Sequence, residues 1–214
     1  MNTRTRVVQF GLGPIGCATA SLVLSRKQFE LVGAVDIDPA KIGRDVGEVL
    51  GMEEAVGIKV VGSLQEALAR TDADAAIHTT SSYFPLFKDQ VKELLEAGLD
   101  VSSTAEELAF PWLANPEEAA ELDKIARAAG KTVAGTGVNP GFLMDSLPLF
   151  LTSLSQTVDS ISVHRVINAS LRRGPFQAKI GSGLTPDEFM ERMEAGRMGH
   201  VGLPESVGMV FDTL

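Results

Sequence analysis

The sequence predicts an α/β protein: a doubly wound parallel sheet of the Rossmann kind, followed by an incomplete α+β second domain. Three observations carry this prediction. A glycine-rich turn joins an apolar run to a helical stretch at the start of the chain, strand and helix patterns then alternate up to about residue 140, and a different pattern takes over beyond Pro140. Alternation of this kind requires crossover connections, which makes the strands parallel and puts helices on both faces of the sheet.

The first strand is the apolar run 7–10, and Gly11, Gly13 and Gly16 follow it, with Pro14 and Ile15 opening a helix between the last two glycines. A second apolar run, 31–35, ends in Asp36, about 20 positions after the glycines. The three glycines serve different ends. The first permits the tight turn, the second lets backbone approach a pyrophosphate, and the third lets the helix pack closely on its strand. The helix then presents unpaired N–H groups and the positive end of its dipole to phosphates. Strand, glycines, helix, strand and acid in this order form the dinucleotide-binding fingerprint. NAD is the expected cofactor, because Asp36 can accept hydrogen bonds from both ribose hydroxyls and repels a 2′-phosphate. NADP stays open, since Lys41 and Arg44 lie close behind; the plainer expectation is that both are solvated helix charges.

The elements continue in order. Residues 59–61 read as a short strand, and Ser63 with Glu66 forms a capping box that opens a helix over 64–70. Residues 75–78 are a buried strand ending in the polar run Thr79, Thr80, Ser81, Ser82; the next helix, about 84–97, stops at Gly98. A strand begins at 100–102, a helix starts at Asn115, Pro116 and Glu118 and runs to Gly130, and 131–135 is a further strand. Beyond Pro140 the apolar stretch 142–154 predicts a helix, 160–167 a long strand, Thr185 with Glu188 another capped helix, and 204–214 a last helix. The expected division is a dinucleotide-binding domain over 1–140 and a partial substrate and oligomerisation domain over 141–214, cut short at its C-terminal end.

A 214-residue chain with 44% hydrophobic and 22% charged residues can bury a full core. Its formal net charge of −9 argues against nucleic acid or an anionic membrane as main partner, since both select basic patches. No apolar run approaches the roughly 18 residues that span a bilayer, and, with the first strand following closely on Met1, no signal peptide is expected. Cys17 is the only cysteine, so no disulfide can form within the chain and a cytoplasmic location is expected. No metal-ligand spacing is evident.

In a doubly wound sheet, ligands gather beyond the carboxyl ends of the strands. Thr79, Thr80 and Ser81 are placed to meet the nicotinamide-side ribose, and Asn139, in the glycine-rich stretch 135–142, to meet the carboxamide; that stretch also reads as a plain domain-crossing turn. Glu106 and Glu107 follow another strand end and can supply acid–base chemistry. Ser103 with Glu106, or Thr104 with Glu107, also fits a capping box, which accounts for one glutamate but not both. Trp112, Phe142, His200 and Arg165 are the candidate lining of a substrate pocket, although an Arg165 surface ion pair is the simpler expectation; His78 is expected to be buried in its strand.

The fingerprint, the Ser103-Thr-Ala-Glu-Glu-Leu108 stretch before Pro111 and Trp112, the Gly135-Thr-Gly-Val-Asn-Pro-Gly-Phe142 stretch and Gly199-His-Val-Gly-Leu203 together resemble the 2,4-diaminopentanoate dehydrogenase and native amine dehydrogenase family, a branch of the dihydrodipicolinate-reductase-like oxidoreductases. The resemblance implies an NAD(P)-dependent oxidative deamination, reversible as reductive amination of a ketone or aldehyde with ammonia. It implies a glutamate as acid/base, carried here to Glu106 with Glu107 second, and a longer whole protein, for which a homodimer is expected. Two other readings compete. Reduction of a cyclic imine would want a His-His-x-x-Lys-x-Asp stretch, where this chain has His164-Arg-Val-Ile-Asn168. A non-catalytic NAD(H) sensor fits the fingerprint alone, although a DNA-binding one would need a basic helix-turn-helix that is not visible. Acyl-enzyme aldehyde oxidation is ruled out, because Cys17 sits at the pyrophosphate end.

Overall fold

A computed structural model describes residues 4–171, 174–195, 198 and 201–214. Alternating apolar residues build the central strand: Val7 and Val8 of β1 (Thr5–Phe10) point to opposite faces and are both buried, so β1 is covered on both sides. It pairs in parallel with β2 (Phe29–Val35) and with β4 (Ala75–His78). Outward from these lie β3 (Val60–Val61), β5 (Asp100–Ser103) and β6 (Val133–Gly135), giving the all-parallel order β3-β2-β1-β4-β5-β6. The winding reverses between β1 and β4, and that switch point opens a crevice at the carboxyl ends of the strands.

Helices form where the crossovers need them. On one face α1 (Pro14–Ser25) and α2 (Val46–Leu50) pack Ala20, Val23 and Val46 against Val7, Leu31 and Val60. On the other, α3 (Leu64–Leu68), α4 (Phe84–Glu96) and α5 (Pro116–Ala129) bury Leu64, Phe84, Phe87, Val91, Leu94, Leu95 and Leu122 against Val8, Ala76 and Val101. Phe84 and Phe87 are fully buried with ring centroids 4.9 Å apart, and each contributes about 1.5–3 kcal/mol from burial alone. The capping expectations hold in full at two helices, where Gly130 closes α5 in the left-handed region and Thr185 and Glu188 form a capping box on α8 (Pro186–Glu194); at α3 only half of the expected box forms, Ser63 accepting from the Glu66 amide at 3.2 Å. α3 ends at Leu68, two residues short of the expected range.

Beyond Pro140 two expectations need correction. The apolar stretch 142–154 is helical only over α6 (Ser146–Thr152), because the Asp145 side chain accepts from the Gly141 and Ser146 amides and holds 141–145 as a turn. The strand expected at 160–167 does not form. A strand exists only through a ladder partner, and every described strand belongs to the one parallel sheet, so 160–167 runs as irregular chain with Val166 95% exposed. Two further helices follow α6 around α8: α7 (Gly174–Lys179) before it and α9 (Leu203–Thr213) after it. Among the described residues no helix is long and apolar enough to cross a membrane.

Candidate active site

The turn after β1 is built as its glycines require. Gly11 has φ +93°, and a Cβ there would stand 2.8 Å from the Thr79 carbonyl oxygen; a Cβ on Gly16 would collide with the Gly11 carbonyl and stand 2.7 Å from Thr79 Oγ1. A Cβ on Gly13 would meet nothing within 4 Å, so open space lies where backbone must face a ligand. Gln9, fully buried, holds the turn: its amide donates to the Gly11 carbonyl and to Thr79 Oγ1, both at 2.9 Å, and its carbonyl accepts from Thr19. Pro14 and Ile15 lie exposed at the start of α1, in the first turn whose N–H groups look outward.

Asp36 ends β2 against this turn. Its carboxylate accepts from the Leu12 amide at 2.7 Å, the Asp38 amide at 2.9 Å and Lys41 Nζ at 3.1 Å. Burial alone would push its pKa up; the Asp38 and Leu12 amides and Lys41 outweigh that and bring it below the ordinary aspartate value. Neither Lys41 nor Arg44 lies on a helix as expected, since both sit in the turn before α2: Lys41 is partly covered and bridges Asp36 and Asp38, whereas Arg44 is solvated as expected and pairs with exposed Glu48.

Three loops meet at the carboxyl ends of β4, β5 and β6. In the first, Thr80 is exposed and Ser81 half-buried, whereas Thr79 is buried with its hydroxyl donating to the Gly11 carbonyl at 2.9 Å. The structure therefore gives Thr79 a role in holding the glycine turn, since its side chain faces β1 rather than the crevice. In the third loop, Asn139 is half-buried and precedes a cis peptide bond to Pro140.

The middle loop separates the two glutamates. After β5 the backbone makes a single 3₁₀ turn over Glu106–Leu108, and neither expected capping box organises it: Ser103 Oγ accepts instead from the Ala105 amide at 3.1 Å. Glu107 turns back to α4, where its Oε2 accepts from the Phe84 amide at 2.6 Å, while its own amide donates to the Ser82 carbonyl. It thus caps the first turn of a helix elsewhere in the fold. Glu106 is half-buried, its Oε2 is shielded from solvent, and the first turn of α9 lies directly on it: a Cβ on Gly202 would sit 3.1 Å from Glu106 Cβ and 2.5 Å from the Pro140 ring. α9 is pinned there by Ser206, whose hydroxyl donates to buried Asp145 at 2.8 Å.

That helix brings in a carboxyl the sequence reading missed. Glu205, only 4% exposed, has its pKa raised by burial and by the charges of Glu107 and Glu106. The Leu-Pro-Glu start of α9 reads as an ordinary helix opening, and nothing in it signals that the acid faces inward. Among the described residues no group of three or more His, Cys, Asp or Glu is arranged to hold a metal ion. The remaining pocket candidates scatter. Trp112, 47% exposed, lines a groove with Leu108, Pro111, Leu122 and Val133, in which Glu106 takes no part. Phe142 is half exposed, Arg165 lies on the exposed irregular stretch where the strand was expected, and His200 is outside the described residues.

A doubly wound dinucleotide-type sheet with a carboxylate at a strand end is the class that fold and site define. Residues 142–214 match the family described as the 2,4-diaminopentanoate dehydrogenase C-terminal domain, and residues 2–103 match the CoA binding domain family. The chain is 33% identical to 2,4-diaminopentanoate dehydrogenase of Acetoanaerobium sticklandii over 99% of its own length and 60% of that protein's. It is 24% identical to an amine dehydrogenase of Streptomyces virginiae, over 84% of this chain and 51% of that one. Its fold superposes on amine dehydrogenase from Mycobacterium smegmatis with a TM-score of 0.76 and 28% identity, covering 98% of this chain and 62% of that one. The chain is thus similar to 2,4-diaminopentanoate dehydrogenase and to amine dehydrogenases, and it spans about 60% of the length of the first of these proteins.

Proposed function

We propose that this chain carries the cofactor site and the acid–base group of an NAD(P)-dependent oxidoreductase acting on CH–NH₂ groups. Its reaction is the oxidative deamination of an amine or diamino acid to a carbonyl compound and ammonia, reversible as reductive amination. The observation that carries this reading is the placement of Glu106: a carboxylate with one oxygen shielded from solvent, at a strand end of the sheet whose first turn has open space at Gly13 and close approach at Gly11 and Gly16. The relatives named for amine oxidation support it.

Gly11, Gly13 and Gly16, the first turn of α1 and Asp36 would hold the dinucleotide, with Thr80, Ser81 and Asn139 toward its reactive end. When bound, the nicotinamide supplies hydride transfer. Glu106 holds the substrate ammonium, takes one proton so that a neutral amine remains for hydride loss, and passes that proton to solvent; as a carboxylate again it takes a proton from the water that adds to the iminium carbon and returns it to the nitrogen, which leaves as ammonia. The Pro140 ring, which meets the Gly202 position beside Glu106, gives the carboxylate an apolar neighbour that strengthens this contact. An ionised Asp36 favours NAD, while Lys41 beside it softens the repulsion of a 2′-phosphate, so NADP belongs to the proposal as second cofactor. The proposal includes a cofactor domain over 1–140, a substrate and assembly domain from 141 onward, a homodimer of the full-length protein and a cytoplasmic location.

The test is NADH consumption by the full-length protein against a ketone panel, with and without ammonium. Turnover that requires ammonium, and that Glu106→Gln removes while NADH affinity is kept, is the expected result. Ammonium-independent turnover would reassign the chemistry to imine or alcohol reduction, and silence across the panel to NAD(H) sensing.

A further inference from the structure

His78 closes β4 between the rings of Phe10 and Phe87, whose centroids lie 5.8 and 6.1 Å from its own, and it is fully buried. An apolar side chain would fill that space without the cost of burying two polar nitrogens. Both nitrogens are engaged, and they reach different loops. Nε2 lies 2.9 Å from the Gln90 side-chain oxygen and 2.8 Å from the Thr80 hydroxyl, which itself donates to the same Gln90 oxygen at 2.6 Å. Because that oxygen only accepts, Nε2 carries the ring hydrogen and Nδ1 is an acceptor. Nδ1 accepts from the Ser103 hydroxyl at 2.8 Å, and Ser103 Oγ in turn accepts from the Ala105 amide at 3.1 Å. The backbone one residue before Glu106 thus hangs from the imidazole through a single oxygen. The main chain repeats the link: the Thr104 amide donates to the His78 carbonyl at 3.0 Å, and the Thr136 amide to the Ser103 carbonyl at 2.8 Å.

We propose that His78 is a positioning residue for Glu106. Through Ser103 it fixes the turn from which the acid–base carboxylate projects, and through Thr80 it fixes the loop on the cofactor side of the crevice. The chemical consequence rests on the amine dehydrogenase reading; the mechanical one does not. Burial holds the imidazole pKa below its ordinary value despite the Gln90 contact, which keeps Nδ1 an acceptor. A cationic ring would carry hydrogen on both nitrogens and break the bond from Ser103.

Three substitutions separate the two arms. His78→Gln places its amide near the reach of Nε2 and drops Ser103, His78→Asn places its amide near the reach of Nδ1 and drops Thr80 and Gln90, and Ser103→Ala cuts the first link with the smallest change in volume. In the full-length protein, Ser103→Ala and His78→Gln are expected to lower kcat about tenfold, as loss of orientation does. NADH affinity, read by fluorescence, is kept in those two. His78→Asn lowers kcat less and weakens NADH binding more. Hydrogen exchange read by mass spectrometry gives a second measure: the amides of 104–108 exchange faster in the first two variants than in the third. Lower melting temperatures with the same kcat and the same exchange in all three variants overturn the assignment. A wild-type protein without ammonium-dependent turnover sinks the dehydrogenase reading instead, and the exchange pattern then decides the positioning role alone.

Discussion

Replacing Glu107 by alanine tests whether the two adjacent glutamates have different work. The Phe84 amide is an orphan donor at the start of α4, and Glu107 Oε2 meets it at 2.6 Å. A half-buried, charge-assisted bond of this kind contributes about 1.5–3 kcal/mol, a figure that already includes the attraction between the carboxylate and the helix dipole. Against it stands the repulsion of Glu205, whose pKa Glu107 helps to raise; relief of that contact returns about 0.5 kcal/mol. The bond wins, and the net loss is about 1–2.5 kcal/mol, or about 2–10 °C of melting temperature for a chain of this length. Glu107→Gln keeps an acceptor without the charge and should lose about half as much. Thermal unfolding followed by circular dichroism, paired with turnover, is the assay. The reasoning fails if Glu107→Ala melts with the wild type, or if Glu107→Gln abolishes turnover as completely as Glu106→Gln, since Glu107 would then be the reacting carboxylate.

Two predictions concern pH. Glu205 has a raised pKa in the fold, so it destabilises the protein as pH climbs from the ordinary glutamate value of about 4.3 through the raised one. Glu205→Gln should therefore raise the melting temperature by a few degrees at pH 8 and lose that advantage near pH 4; an equal effect at both pH values would show that charge is not involved. Asp74 is the opposite case: the hydrogen bonds from the Arg6 side chain and amide depress its pKa to about 2. Its stabilisation is present above the ordinary aspartate value of about 3.9 and lost as pH falls toward 2, and at 44% side-chain exposure it is under about 1 kcal/mol. Asp74→Asn should lower the urea midpoint slightly at pH 6 and leave it unchanged near pH 2.

The doubly wound sheet was legible because its signals are local. Apolar runs, capping residues and terminal glycines such as Gly98 and Gly130 each act within one element, and the chain order of strands and helices then leaves few topologies. The glycine turn was legible for the same reason. What escaped was every role decided between distant segments. Thr79 follows a strand end, which in sequence points it toward a ligand, yet Gln9 and Gly11, about 70 positions away, claim its hydroxyl. Glu107 and Glu106 are alike in sequence, and only the location of Phe84 tells them apart. Glu205 becomes a buried acid solely because α9 returns to the sheet end, and 160–167 has strand composition without a strand beside it.

The Ser206–Asp145 contact joins residues 61 positions apart and thereby closes a long excursion of chain at its base. Lengthening a closed flexible loop twofold adds only about 0.6 kcal/mol of entropy. Insertions, deletions or tags between about 153 and 195 should therefore be absorbed by the excursion itself, while the helix that roofs Glu106 stays seated. The clasp makes that stretch an engineering handle: segments can be exchanged there as cassettes, with Glu106 as a fixed point.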